Sequence, residues 1–312
     1  MRGPFQGYLY LTLAMLTVGS TVTASRVIAA GMPPFTATAL RFAIAFPVFA
    51  LLMWWRGARL PRLGPRQWVI LTVQAGAGSV GYTTLLISGL KLTTAADAGV
   101  IIGTLPIVSA ALSIVVLGER PHRSMVLVIA MSAVGLLSIA FSPEAGSGSM
   151  LGNGLVFGAV MCESLFILLN KTLDTPIPPL TQSALMTGIG LVVATIPALC
   201  EGASPVGLSH DAIAAVAYYA LVPTVVGFIL WYAGAARVSG VEASLFTAIA
   251  PASAVLMAFV LLGEPLSLNQ LAGVGCVLAA VLGLGLARRR TPIAPEQASP
   301  AGGIYRALKR LR

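Results

Sequence analysis

The fold class predicted by this sequence is an all-α polytopic membrane protein, with ten transmembrane helices arranged as two inverted five-helix repeats. Three observations carry that reading: a composition too apolar for water, ten apolar runs of spanning length, and a long-range internal repeat. Of 312 residues, 57% are hydrophobic and 9% charged, and the mean hydropathy is +0.91. Soluble domains carry about 25% charged residues, so this chain lacks the polar surface to cover itself. A bilayer-crossing helix needs about 20 apolar residues, and ten of them leave only short connections and termini. Nucleic-acid binding, a secreted disulfide module and soluble enzymology are excluded on the same ground.

Apolar runs bounded by glycine, proline or charge place the spans at 7–30, 34–55, 67–89, 95–117, 124–142, 151–172, 180–200, 211–235, 241–262 and 267–287. The first follows Arg2 and contains Val22-Thr23-Ala24, which resembles a signal-peptide cleavage site. Its length suits a span, however, and the repeat requires it. The second opens on Pro34 and closes at Arg56, and the third lies between Arg66 and Lys91. The fourth runs from near Asp97 to Gly118-Glu119, and the ninth, its counterpart, from near Glu242 to Gly263-Glu264. The sixth ends at Lys171, the seventh lies between Pro179 and Glu201, and the eighth ends before Arg237.

Charge placement sets the orientation. With the N-terminus in the cytoplasm, the inner side holds Arg2, Arg56, Arg59, Arg62, Arg66, Arg120, Arg123, Lys171, Arg237 and the seven basic residues after position 287. The outer side holds Lys91, while Arg26 and Arg41 fall inside apolar runs. This split of 16 to 1 satisfies the positive-inside rule with both termini cytoplasmic. The tail, 289–312, ends in GIYRALKRLR, either a disordered end or a short helix lying on anionic headgroups. Cys162, Cys200 and Cys276 fall in or beside apolar stretches without metal spacing, and read as small hydrophobes.

The repeat is read at a shift of 145 residues. AADAGVIIGTLPIVSAALSIVVLGER (95–120) matches GVEASLFTAIAPASAVLMAFVLLGEP (240–265), pairing Asp97 with Glu242, Pro106 with Pro251 and Glu119 with Glu264. The same shift pairs Arg26 with Lys171, Pro34 with Pro179 and Thr36 with Thr181. A one-residue offset then pairs Gly81-Tyr82 with Gly227-Phe228, and Lys91 with Arg237. Five spans per half is an odd number, so the halves enter the membrane from opposite faces. Such duplication typifies secondary transporters, whose site lies between the halves near the midplane. The halves are 1–143 and 144–288.

The doubled Leu-Gly-Glu (Leu117-Gly118-Glu119 and Leu262-Gly263-Glu264), Pro34 with Arg41, the mid-helix prolines and the basic residue ending the third span resemble the EamA repeat of the drug/metabolite transporter superfamily. The resemblance covers roughly residues 6–288. It implies a ten-helix secondary transporter of the bacterial inner membrane, often an exporter of amino acids or other small metabolites, and is uninformative about the particular substrate.

Candidate site residues follow from membrane energetics. Glu163 lies mid-span, where an ionisable group costs about 2.5–3.5 kcal/mol and so faces the protein interior or a watery cavity. It reads as a proton-coupling or substrate-amine group, or as an Arg-paired structural one. Arg41 presents a planar fork for a carboxylate, or pairs with Glu163, or snorkels outward. Tyr82, Tyr218, Tyr219, Trp231 and Tyr232 line a pocket or anchor at the interface; Tyr82, Trp231 and Tyr232 join Glu163 and Arg41 as pathway candidates. Pro106 and Pro251 free the carbonyls of Ile102 and Thr247, so kinked helices are expected, either lining the pathway and bending during exchange or purely structural. Asp97, Glu242, Glu119 and Glu264 read as helix-end residues. Gln74 and Asn170 receive no role.

The sequence contains no GxxxxGK[ST] and no HExxH, and a nucleophile–base constellation within the spans is lacking. The expectation is a secondary transporter, not an enzyme, with no cofactor or metal. Its partners are a small-molecule substrate and membrane lipids, with no nucleic acid, and the chain works as a monomer or weak homodimer. A membrane-embedded lipid-modifying enzyme, a channel or a non-transporting scaffold are the alternatives.

Overall fold

The computed structural model describes residues 4–93, 98, 101–117, 130, 149–173, 176–201, 209–262, 272 and 275. The expected fifth and tenth spans, the tail, Asp97, Glu119, Glu264, His122 and Cys276 lie outside the described residues. Within them all regular structure is helical. Six helices are long and apolar enough to cross a membrane: Phe5–Gly31, Pro34–Trp55, Pro65–Leu90, Met150–Asn170, Pro179–Cys200 and His210–Ala235. They coincide with the first, second, third, sixth, seventh and eighth expected spans.

We label the helices α1 (Pro4–Gly31), α2 (Pro34–Trp55), α3 (Pro65–Leu90), α4 (Leu105–Leu117), α5 (Met150–Asn170), α6 (Pro179–Cys200), α7 (His210–Ala235), α8 (Gly240–Phe246) and α9 (Ile249–Leu262). Helices α2, α3 and α6 each start on a proline, whose missing N–H costs nothing in the first turn and whose φ is already helical. The Ser149 hydroxyl caps α5 by accepting from Gly152 N at 3.0 Å.

Two irregularities recur in both halves of the chain. Ala75–Gly81 in α3 and Ala220–Val226 in α7 are π-helical turns, and their bounds differ by the 145 residues of the sequence repeat. The bounds of α3 and α7 keep the same shift, so the one-residue offset expected here is not needed through this span. The two turns arise from unlike sequences. Ala75–Gly81 carries three glycines, and Ala220–Val226 carries Pro223. Pro223 cannot bond Tyr219 O, which instead accepts the Thr224 hydroxyl at 2.9 Å.

The second irregularity lies just ahead of Pro106 and Pro251. The fourth and ninth spans were expected to run unbroken with a kink, but the helix is interrupted at residues 103–104 and again at 247–248. Tight three-residue bonds bridge both gaps, Thr104 N to Ile101 O at 3.0 Å and Ala248 N to Leu245 O at 3.2 Å. Pro106 and Pro251, having no N–H, leave the carbonyls of Ile102 and Thr247, four residues earlier, without their α-helical donors.

The helices pack closely. Helix α2 lies along α6, with Phe42, Ala45, Phe49, Ala184 and Ala194 all buried, and α1 lies between α7 and α9. A Cβ on Gly19 would stand 2.5 Å from Ser253 Cβ and 2.6 Å from Ala250 O, so only glycine permits that approach. A Cβ on Gly78 would overlap the Phe166 side chain where the π-turn of α3 meets α5. Large apolar residues such as Leu51, Val115, Val192 and Leu199 remain exposed, as a lipid-facing surface requires.

Candidate functional site

Arg41, well inside α2, is only 4% exposed. Its Nη2 donates to the Ser79 carbonyl at 2.9 Å, inside the π-turn of α3. The same carbonyl accepts the Thr83 hydroxyl at 3.0 Å. A wide turn loosens the regular ladder and leaves its carbonyl open to side-chain donors. The guanidinium carbon lies 4.2 Å from the Phe42 ring centre and 4.6 Å from that of Tyr219, so the charge is held between two π-faces. Its Nε has no partner. Arg41, Thr83, Ile87 and Tyr219, with Ile28, Ala37 and Val216, line a small crevice with essentially no free volume.

Glu163 on α5 is half-buried and within electrostatic reach of Arg41, Tyr82 and Tyr232. It does not hydrogen-bond to Arg41, whose Nη2 donates to Ser79 O instead while its Nε stays unpartnered. Beside it, the Ser109 hydroxyl donates to Ser164 Oγ at 3.0 Å, joining α4 to α5. One turn further, Phe166 packs against Phe228, Trp231 and Tyr232, with ring centres 6.2, 6.3 and 5.9 Å away. The Gln74 amide donates to Phe166 O at 3.1 Å, joining α3 to α5.

Several buried polar atoms in this region lack a partner: Trp231 Nε1, Tyr232 Oη, Gln74 Oε1, Ser79 Oγ and Arg41 Nε. Each such atom costs about 1–3 kcal/mol when left dry, and folded proteins carry few. They come from α2, α3 and α7, the elements that surround Glu163 and Arg41. Arg41, Tyr82, Glu163 and Tyr232 are thus brought together, and Trp231 joins the adjoining aromatic cluster. Pro251 is buried and Pro106 lies in α4; both follow the helix interruptions. Sequence reasoning passed over Ser79, Gln74 and Ser164, whose partners only the packing reveals.

Among the described residues, Glu242, Lys171 and Arg26 lie at or near helix ends. Glu242 opens α8 and is 1% exposed. Its Oε2 accepts Ser239 N at 2.8 Å while Ser239 Oγ accepts Glu242 N at 3.1 Å, a capping box. The Tyr8 hydroxyl donates to Oε1 at 2.7 Å. Lys171 Nζ donates to the Ala235 and Val238 carbonyls where α7 ends. Arg26 is exposed, as snorkelling requires. Among the described residues no three His, Cys, Asp or Glu side chains are grouped to hold a metal.

Crossing-length apolar helices around a buried polar centre define a multi-pass membrane protein. The chain belongs to the EamA-like transporter family, which it matches twice, over residues 5–141 and 150–286. It is 30% identical to "Uncharacterized transporter YetK" of Bacillus subtilis (strain 168), over 88% of this chain and 85% of the relative. It is 28% identical to the "Probable terminal-alkyne amino-acid exporter" of Streptantibioticus cattleyicolor, over 94% of this chain and 96% of that one. A crystal structure of a 20% identical protein shares the fold, with TM-score 0.72, 92% of this chain covered and 99% of the other. The chain is therefore a membrane transporter, with a small-molecule substrate and a lipid environment.

Proposed function

We propose that the chain is a secondary active transporter that exports small metabolites such as amino acids across the bacterial inner membrane by alternating access, coupled to protons at Glu163. Its units are residues 1–143 and 144–288, two inverted five-helix repeats making ten spans, with both termini and the tail 289–312 cytoplasmic, and one chain is sufficient for transport. The paired family matches and the mirrored irregularities of α3 and α7 support a duplicated machine.

The observation that carries the reading is a buried Arg41 with an ionisable carboxyl, Glu163, within electrostatic reach yet not hydrogen-bonded to it. A solute with a carboxylate and an ammonium group complements that pair, the carboxylate at the Arg41 fork and the ammonium at Glu163. Tyr82, Trp231 and Tyr232 line the path, and the interruptions before Pro106 and Pro251 let the broken helices bend during exchange. The named exporter among the relatives handles an amino acid.

The test uses proteoliposomes containing only this protein, loaded with labelled amino acids under an imposed pH gradient. Wild-type protein is expected to move solute uphill, and Glu163→Gln to lose uphill movement while staying folded. Unchanged proton-driven accumulation in that variant overturns the coupling role. Absence of movement for any amino acid in the wild type overturns the substrate class.

A further inference from the structure

We propose that the segment from Trp54 to Trp68, which joins α2 to α3, is a binding site for the phosphate headgroups of anionic phospholipids. This inference stands independently of the transport mechanism. The segment holds Arg56, Arg59, Arg62 and Arg66 and no acidic residue, and all four arginines are exposed. Trp54 and Trp55 at the end of α2 are 79% and 77% exposed, and Trp68 in the first turn of α3 is 42% exposed. Indole rings at the ends of spanning helices settle at headgroup level. The arginines between them therefore sit at phosphate depth.

The local structure leaves the guanidiniums of Arg56, Arg59 and Arg62 to an outside acceptor. Gly57, at φ 60, reverses the chain after α2, and the amides of Arg56, Gly57 and Ala58 close back on the carbonyls of Leu52, Trp54 and Met53. At the other end Gln67 Oε1 accepts Gly64 N at 3.1 Å. The loop is fixed by its own backbone, and among the described residues the side chains of Arg56, Arg59 and Arg62 have no hydrogen bond or ion pair. An arginine fork matches two phosphate oxygens, which a lysine ammonium cannot do. The positive end of α3 begins at Pro65 and adds to the attraction.

Membrane orientation alone asks only for positive charge, which lysine supplies equally. This segment uses four arginines and no lysine. At a shift of 145 residues, 199–213 contains no Lys or Arg and carries Glu201 and Asp211. The site belongs to one half of the chain only.

Fluorescence can test this directly, because three of the four tryptophans in the chain lie in the segment. The full chain is placed in nanodiscs of phosphatidylcholine containing either brominated phosphatidylglycerol or brominated phosphatidylcholine as quencher. Wild-type protein is expected to be quenched more by the anionic lipid. In Arg56→Lys/Arg59→Lys/Arg62→Lys, which keeps the inside charge and so the topology, that preference is expected to fall by about threefold or more. Equal quenching by both lipids in the wild type overturns the site. An undiminished preference in the lysine variant also overturns it, since it leaves only a diffuse positive charge.

Discussion

The Glu201 carboxylate accepts the Thr36 hydroxyl at 2.8 Å, and with it the amides of Thr36 at 2.7 Å and Phe35 at 3.0 Å. Glu201 follows the last turn of α6, and Thr36 lies in the first turn of α2, so a carboxylate from one half of the chain caps a helix in the other. An anion there satisfies orphan donors and meets the positive end of the helix dipole. Replacing Glu201 by Ala is expected to lower stability by about 1–3 kcal/mol, and Thr36→Val by about 0.5–1.5 kcal/mol. The two effects should be less than additive, because both report one cluster. Thermal unfolding in detergent measures all three, and a Glu201→Ala variant that melts with wild type contradicts the cap.

Glycine at position 78 is expected to be irreplaceable. A Cβ there would overlap Phe166 where α3 crosses α5, so Gly78→Ala should cost about 1–3 kcal/mol. At Gly76, in the same turn, a Cβ would meet nothing within 4 Å, and Gly76→Ala should be tolerated. Unfolding temperatures of the two variants make the comparison, and equal behaviour would contradict the close approach.

At position 41 charge and shape separate. The residue 145 positions on is Met186, fully buried, so the scaffold accepts an unbranched apolar side chain in the equivalent place. Arg41→Met is expected to fold and to lose transport, whereas Arg41→Lys should retain about a tenth of it, keeping charge without the fork. Flux in proteoliposomes, read beside melting temperature, distinguishes a transport defect from a folding one. Full flux in Arg41→Met removes Arg41 from the pathway.

Removing the Tyr8 hydroxyl takes one donor from a carboxylate that is 1% exposed. Tyr8→Phe should therefore destabilise the fold by about 1–3 kcal/mol. The ring itself stacks on Phe246 with centres 5.0 Å apart, a contact that phenylalanine keeps. Calorimetry or a thermal shift assay reads the difference, and a neutral result would mean that water replaces the hydroxyl.

The helical spans were legible because hydrophobic runs of spanning length have little alternative to a bilayer-crossing helix. The prolines likewise announced trouble at Ile102 and Thr247, although a full interruption rather than a kink resulted. The π-turns were not legible: three glycines in one half and Pro223 in the other give no common pattern, and only helix contacts reveal their equivalence. Arg41 and Glu163 stood out because charge in a membrane is costly. Ser79 and Gln74 did not, since a short polar side chain in a span looks the same whether it bonds its own helix or a neighbour. Glu201 was read only as the end of a span, because nothing local places it against Thr36.

An α-turn closes after one residue fewer than a π-turn. If Ala75–Gly81 passed its surplus residue along the chain, the residues between its old and new positions would rotate by about 100° and shift by about 1.5 Å relative to Gln74. The same slip in Ala220–Val226 would re-aim Trp231 and Tyr232 without unwinding α7. In each long helix such a slip would turn a short stretch of side chains to new neighbours while both helix ends stay seated.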